Sequence, residues 1–224
     1  VILLQLYLED SIFNCAGVLR NNSIITEYKK QELPNYEVFD EKRYFQPGIS
    51  PGIFEVNGFR VGLSVCEDIW HQKVITQLHD KGADLVLNIN ASPFHLNKIQ
   101  ERKNLISGHA SKFSMPIVYA NQVGGQDELV FDGTSMAMDS EGKQVLQLAK
   151  FEEDQAVVSF LSQHDGNILS DKNEVIPEDS ELEEVYRALV LGAKDYINKN
   201  KFPGVLIGSS GGIDSALTAV IAAD

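Results

Sequence analysis

The sequence predicts a layered α/β domain followed by the beginning of a second α/β unit, and three features carry that reading. The run DLVLNIN (84–90) is apolar on both faces, like a strand covered on both sides. A charged helix over 98–113 follows, and then Pro116 and the strand IVYAN, which completes a strand, helix, strand unit. Two hairpins precede it, IFNCAGVLRNNSIIT around Asn21-Asn22 and IFEVNGFRVGLSV around Asn57-Gly58, the second turn being the strongest short hairpin signal. Far downstream, Leu182, Val185, Tyr186, Leu189, Val190, Ala193 and Ile197 recur at the spacing of an amphipathic helix.

In chain order, the opening VILLQLYL is apolar but too short to span a bilayer, and no basic stretch precedes it. Cys15 falls inside the first hairpin and reads as structural. The stretch EYKKQELPNYEVFDEKRYFQPG is polar and aromatic with two prolines, the composition of a long functional loop. The second hairpin leads into FRVGLSVCEDIW, a buried strand whose end opens a helix running from Glu67 to about Lys81-Gly82. Asn90-Ala91-Ser92-Pro93 ends the next strand, and NQVGGQDELVFDGTS is glycine-rich and acidic. TSMAM, VLQLA and QAVVSF add three strands and finish the first unit. The boundaries expected are 1–161 for that domain, 162–180 for a polar linker, and 181–224 for the second unit. There, Pro203-Gly204 stops the amphipathic helix, GVLIG forms a short strand, SSGGIDS a loop, and ALTAVIAA the next helix.

Composition narrows the function classes. With 224 residues and 43% hydrophobic content the chain can bury a full core. A net charge of −13 and a pI near 4.8 argue against a nucleic-acid partner, because phosphate binding needs clustered Lys and Arg. Two cysteines without CxxC or His-rich spacing suggest neither a disulfide framework nor zinc, so no metal site is expected and a reducing cytoplasm fits best. No membrane partner is expected.

Two places could carry chemistry. Cys66 sits where strand becomes helix, so its thiol faces free backbone N–H groups and a partial positive charge, which would lower its pKa and offer an oxyanion a place to bind. The plain alternative is a small buried apolar residue. Gly208 to Ser215 lies between strand and helix, where small residues let N–H groups approach a phosphate. It is neither a Walker A loop nor GxGxxG; a tight turn of small residues is the alternative.

Both places resemble known families. SGGIDS, with Ser210, Gly211, Gly212, Ile213, Asp214 and Ser215, is similar to the pyrophosphate loop of the N-type ATP pyrophosphatases, which cleave ATP between the α and β phosphates. LSVCEDIW, with KxxLPNY upstream and NASP downstream, resembles the nitrilase superfamily, whose triad is Glu, Lys and Cys. The two together, through KKQELPNYEVFDEKRYF, VGLSVCEDIW, ANQVGGQDELVFDG and SSGGIDSALTA, resemble the glutamine-dependent NAD synthetase family.

That resemblance implies a four-layer αββα sandwich followed by the start of a Rossmann-like ATP pyrophosphatase domain. It implies Cys66 as the nucleophile on the glutamine carboxamide and Lys30 as the lysine that steadies the oxyanion, with Lys29 the neighbouring register. Tyr36 and Glu67 match positions that hold glutamine, and Ser92 and Lys98 would meet its α-carboxylate and α-amino ends. ATP with Mg²⁺ is the implied cofactor pair, glutamine and deamido-NAD⁺ the other substrates, and a homo-oligomer the implied assembly. One departure stands out: the family's general-base Glu follows an apolar strand near the N-terminus, and no Glu here occupies that motif. Val1 to Leu4 resembles that strand, Leu6 onward resembles a later segment, and Glu9 is a poor substitute. On this reading residues near the N-terminus are missing and the synthetase domain is cut short after its first loop. Two rivals stay open, a stand-alone carbon–nitrogen hydrolase on another small amide and a nucleotide-binding scaffold with a dead thiol site.

Overall fold

The computed structural model describes residues 11–161 and 179–224 in full and residues 2–8 and 168–170 by their backbone. Strands β1 (Ile2–Leu8), β2 (Ser11–Arg20) and β3 (Ser23–Lys29) form an antiparallel sheet in that order. The opening run is one continuous strand, with Leu4 opposite Cys15 and Leu6 opposite Phe13. At the β2–β3 turn Asn21 and Asn22 have φ of 50° and 60°, the left-handed pair that matches strand twist in a two-residue hairpin. Glu9 lies outside the described residues.

A second sheet contains β4 (Gly52–Val56), β5 (Phe59–Val65), β6 (Leu85–Asn90), β7 (Ile117–Asn121), β10 (Met136–Met138) and β11 (Gln144–Gln147), in the order β11-β10-β7-β6-β5-β4. Strands β5, β6 and β7 are parallel, and the flanking pairs are antiparallel. Helices α1 (Gln72–Asp80) and α2 (Lys98–Phe113) cover one face, where Ile69, Ile75, Leu78, Ile106 and Ala110 meet Val86, Ile117, Tyr119, Met136 and Met138. The opposite face packs on the first sheet through Leu63, Val65, Leu87 and Ile89 against Ala16, Val18 and Tyr28. The described residues thus build three stacked layers, helix, sheet and sheet. Each fully buried Leu or Ile in these layers contributes roughly 1.5–3 kcal/mol relative to exposure.

Several elements differ from expectation. The helix expected from Glu67 to Lys81 is two pieces, a short 3₁₀ helix Cys66–Trp70 and α1, because His71 is extended at φ −111°, ψ 114°. The Asp68 carboxylate accepts the Val65 N–H at 2.9 Å, so the first turn is closed locally and has no need to propagate. The glycine-rich, acidic stretch, to which the sequence assigns no element, is a hairpin, β8 (Val123–Gln126) with β9 (Leu129–Asp132). Its pattern shows no alternation of apolar side chains because the strand is held from outside, by α3 (Glu181–Lys199). Asp195 accepts the Gly125 N–H at 2.7 Å, and a Cβ on Gly125 would come within 3.0 Å of the Gly192 Cα.

The expected helix at 181 is α3, capped by the Ser180 hydroxyl accepting the Glu183 N–H. Its apolar stripe is not sunk in the core: Leu182 is 84% exposed, and only Ala188 is buried among the residues of α3. GVLIG forms no strand, since no described strand lies beside it to complete a ladder, and Leu206 is fully exposed. Helix α4 (Ile213–Ala223) follows the glycine loop as expected. Most of the expected linker, 162–167 and 171–178, lies outside the described residues; within it β13 (Ile168–Ser170) pairs with β12 (Val158–Phe160). Among the described residues no helix is long and apolar enough to cross a membrane.

Candidate active site

The parallel register of the central strands brings their carboxyl ends level, with Val65 beside Ile89 and Asn90 beside Asn121. The residues that follow β5 and β6 therefore meet at one edge of the sheet, where α/β proteins usually place their ligands. Cys66 is the first residue beyond β5 and has φ 46°, a left-handed conformation that a side chain adopts only when its surroundings impose it. It is half-buried and unbridged, as Cys15 is buried and unbridged in β2. The Ala91 backbone, just past β6, helps hold the Cys66 thiol down.

Lys30 follows directly on β3 and is 1% exposed. Its N–H donates to the Asn14 carbonyl and its carbonyl accepts the Gly48 N–H, both at 2.8 Å, so the loop folds back over it. Gly48 permits that approach: a Cβ there would lie 2.1 Å from the Lys29 carbonyl oxygen. The Lys30 ammonium reaches the thiol electrostatically and pairs with Glu41 at 2.6 Å. Lys29 points elsewhere, its ammonium 4.1 Å from the centre of the Phe13 ring.

The thiol's electrostatics reverse the expectation from its helix-end position. Loss of solvent around the sulfur pushes the Cys66 thiol up; Lys30 and the Ala91 backbone oppose this, while Glu41 and Glu67 add to it. A single 3₁₀ turn is too short to supply a compensating helix field.

The other expected residues ring this centre at different depths. Tyr36, half-exposed on the loop, donates its hydroxyl to Glu67 at 2.8 Å, and the other Glu67 oxygen lies 3.4 Å from His71 Nε2. Burial, then the Glu67 bond and charge, push the Tyr36 phenol up. Ser92 is buried; its Oγ accepts from Arg102 at 3.1 Å and its N–H donates to Asn121 at 2.9 Å. Lys98 stands at the rim, 4.2 Å from the Trp70 ring centre and 2.9 Å from Glu101.

Ser210 to Ser215 belongs to a different place, the exposed entry of α4. Ser210 Oγ and Ser215 Oγ are 3.2 Å apart, the Gly212 N–H donates to Ser210 Oγ at 3.4 Å, and Gly211 has φ 80°. Open space surrounds the Cα of Gly208 and Gly211, leaving the backbone approachable. Ile213 is 83% exposed, and Asp214 opens the helix as its first-turn acid. A separate cleft of about 450 Å³ between α3 and the 151–153 segment contains none of these residues.

Sequence reasoning missed four contributors. Glu41 lies inside the matched run KKQELPNYEVFDEKRYF, but nothing in its spacing from Lys30 marks a partner. Asp68 sits two residues past Cys66 and looks like an ordinary first-turn acid. Arg102 and Asp132 form a fully buried pair at 2.8 Å, and Arg102 also donates to the Ser92 and Pro93 carbonyls, which fixes the segment carrying Ala91. An arginine in a charged helix gives no warning of such burial.

A buried lysine paired to a carboxylate and set against a strained cysteine at the strand ends is the arrangement of a carbon–nitrogen hydrolase site. The carbon-nitrogen hydrolase family model matches residues 5–163, and the chain belongs to that family. The NAD synthase model matches residues 185–224. Among curated relatives, the glutamine-dependent NAD(+) synthetase of Acinetobacter baylyi is 39% identical over 95% of this chain and 39% of its own length, and that of Aquifex aeolicus 38% identical over 97% and 44%. The chain thus spans about two fifths of the length of these relatives. Among solved structures, the Acinetobacter baumannii synthetase, determined with ADP, aligns at a TM-score of 0.92 with 41% identity over 98% of this chain and 41% of that one. An amidase from Nesterenkonia sp. AN1, described with a covalent adduct at its active-site cysteine, aligns at 0.56 with 26% identity over 62% of this chain and 51% of its own.

Proposed function

We propose that the protein is a glutamine-dependent NAD⁺ synthetase in which residues 1–161 release ammonia from glutamine, 162–180 link, and 181–224 open the domain that uses ammonia. The observation that carries the first half is the convergence of Cys66, Lys30 and Glu41 at one sheet edge. The second half rests on the NAD synthase match together with the glycine loop at the entry of α4.

Because burial keeps the thiol protonated, a base must take its proton as the sulfur adds to the carboxamide carbon. Glu67 is engaged by Tyr36 and His71, so Glu41 is the site carboxylate positioned to share a proton through Lys30. The Lys30 ammonium then steadies the developing oxyanion. The C–N bond breaks, ammonia leaves with the transferred proton, and water cleaves the thioester to glutamate and free Cys66. Glu67 and Tyr36 would help hold glutamine. Ser92 and Lys98 would meet its α-carboxylate and α-amino ends.

The residues at the α4 entry fit a pyrophosphate: Ser210, Gly211 and Gly212 offer hydroxyl and N–H groups, and Ser215 closes the turn. No group of three or more potential metal-binding side chains occurs among the described residues, so Mg²⁺ would be held mainly by phosphate oxygens with Asp214 as the available carboxylate. When bound, Mg-ATP supplies activation of a carboxyl oxygen for ammonia; a cytoplasmic homo-oligomer completes the reading. The test is isotopic. Amide-¹⁵N glutamine, Mg-ATP and deamido-NAD⁺ given to the intact protein should yield ¹⁵N-labelled NAD⁺, AMP and pyrophosphate. Release of ammonia and the matching carboxylic acid from another small amide, with no NAD⁺ formed from glutamine, would favour a stand-alone amidase.

A further inference from the structure

Asp68 has no part in the chemistry just described, yet it is the most heavily bonded carboxylate beside it. It is completely buried. One oxygen accepts the Gln31 and Glu32 N–H groups at 3.1 and 2.9 Å, and the other accepts the Val65 N–H at 2.9 Å and the Tyr28 hydroxyl at 2.8 Å. Tyr28 and Gln31 bracket Lys30 in the chain, and Val65 and Asp68 bracket Cys66. A single carboxylate therefore fastens the segment that delivers the lysine to the segment that delivers the thiol.

We infer that Asp68 is a positioning residue that holds the Lys30 ammonium in register with the Cys66 sulfur. The inference rests on the reading of Cys66 as nucleophile and Lys30 as its cationic partner. A carboxylate suits this position because all four of its partners are donors, and an amide does not. In Asp68→Asn the NH₂ group must face either two backbone N–H groups or an N–H and a hydroxyl already committed as donors. One side of the clamp opens whichever way the amide turns. The lysine segment and the cysteine turn then lose their common anchor, although the hydrophobic layers on either side are unchanged.

The thiol itself reports the outcome. Among the described residues, the titratable groups that act on it are Lys30, Glu41 and Glu67, and its own charge bears on the Tyr36 and Tyr119 phenols, on the loop and β7. Of these Lys30 alone carries positive charge. Removing the negative charge of Asp68 would by itself make the thiol more acidic, whereas releasing Lys30 makes it less acidic, so the two effects have opposite sign.

The experiment is the pH dependence of Cys66 alkylation by iodoacetamide in the whole chain, followed by intact mass. Circular dichroism establishes that each variant is folded. In Asp68→Asn the midpoint should move up by at least about half a pH unit, which is roughly three-fold slower alkylation at pH 8. An unchanged or lowered midpoint in folded protein would overturn the inference. Should Asp68→Asn fail to fold, Tyr28→Phe carries the test by removing one of the four donors: an upward shift supports the clamp and a wild-type profile overturns it. Iodoacetamide does not depend on glutamine recognition, so the glutaminase reading can fail while this result stands, and the reverse.

Discussion

The Lys30 ammonium lies 2.6 Å from a Glu41 carboxylate oxygen, with Lys30 almost wholly buried and Glu41 18% exposed. A lysine so placed is charge-paired and aimed, and removing it withdraws the positive charge that holds the Cys66 thiol down. Lys30→Met should raise the barrier to glutamine hydrolysis by about 2–4 kcal/mol, the range for losing one oxyanion donor. Lys29→Met, which loses only a contact with the Phe13 ring, should leave turnover near wild type. Steady-state kinetics of the two variants side by side check the assignment.

Glu41 acts on the thiol in the opposite direction from Lys30. Its negative charge holds the Cys66 proton more tightly, so Glu41→Gln should shift the alkylation profile to lower pH and speed alkylation at neutral pH. Glutamine turnover should fall in the same variant because the proton-sharing carboxylate is gone. The two measurements moving apart would identify Glu41 as part of the chemistry; both falling together in folded protein would make it structural.

Arg102 and Asp132 are wholly buried, and the guanidinium also holds the Ser92 and Pro93 carbonyls. Arg102→Leu leaves a buried carboxylate without its cation and should cost roughly 3–5 kcal/mol of stability by urea denaturation. Replacing both partners by apolar residues of similar size should recover part of that loss, because no orphaned charge remains.

How much of this was legible in the sequence follows from what sets each element. Both hairpins were readable because Asn21-Asn22 and Asn57-Gly58 specify their turns locally, with left-handed φ values at each position. The helix over Lys98–Phe113 and the strand Ile117–Asn121 were likewise readable. The hairpin at 123–132 was not, because Gly124 and Gly125 carry no strand signal and are held by Asp195 from seventy residues away. GVLIG has a strand's composition but no neighbour in the described residues to pair with. In the site, Cys66 could be found from its place at a strand end, and Lys30 and the rim residues from resemblance. Glu41 and Asp68 could not, since their importance comes from folding a loop back onto a strand end and leaves no periodic trace.

The glycine loop before α4 has no lysine to follow a γ-phosphate, so the intact protein should release AMP and pyrophosphate. Asp214→Asn should weaken Mg-ATP use while leaving Cys66 alkylation unchanged. Release of ADP and phosphate would contradict the assignment of Ser210 to Ser215.

Cys66→Ala in the intact protein should abolish glutamine-dependent amidation and leave ammonia-dependent amidation largely in place, because the thiol belongs to the first domain only. Loss of both activities in folded protein would contradict separate sites.

The most direct measurement is covalent labelling of the purified chain with a diazoketone analogue of glutamine, followed by peptide mass mapping. The account predicts one adduct, on Cys66, slowed by excess glutamine and absent from Cys66→Ala, with the buried Cys15 unlabelled. Absence of an adduct on Cys66, or labelling that glutamine does not slow, would contradict the reading of this thiol as a glutaminase nucleophile.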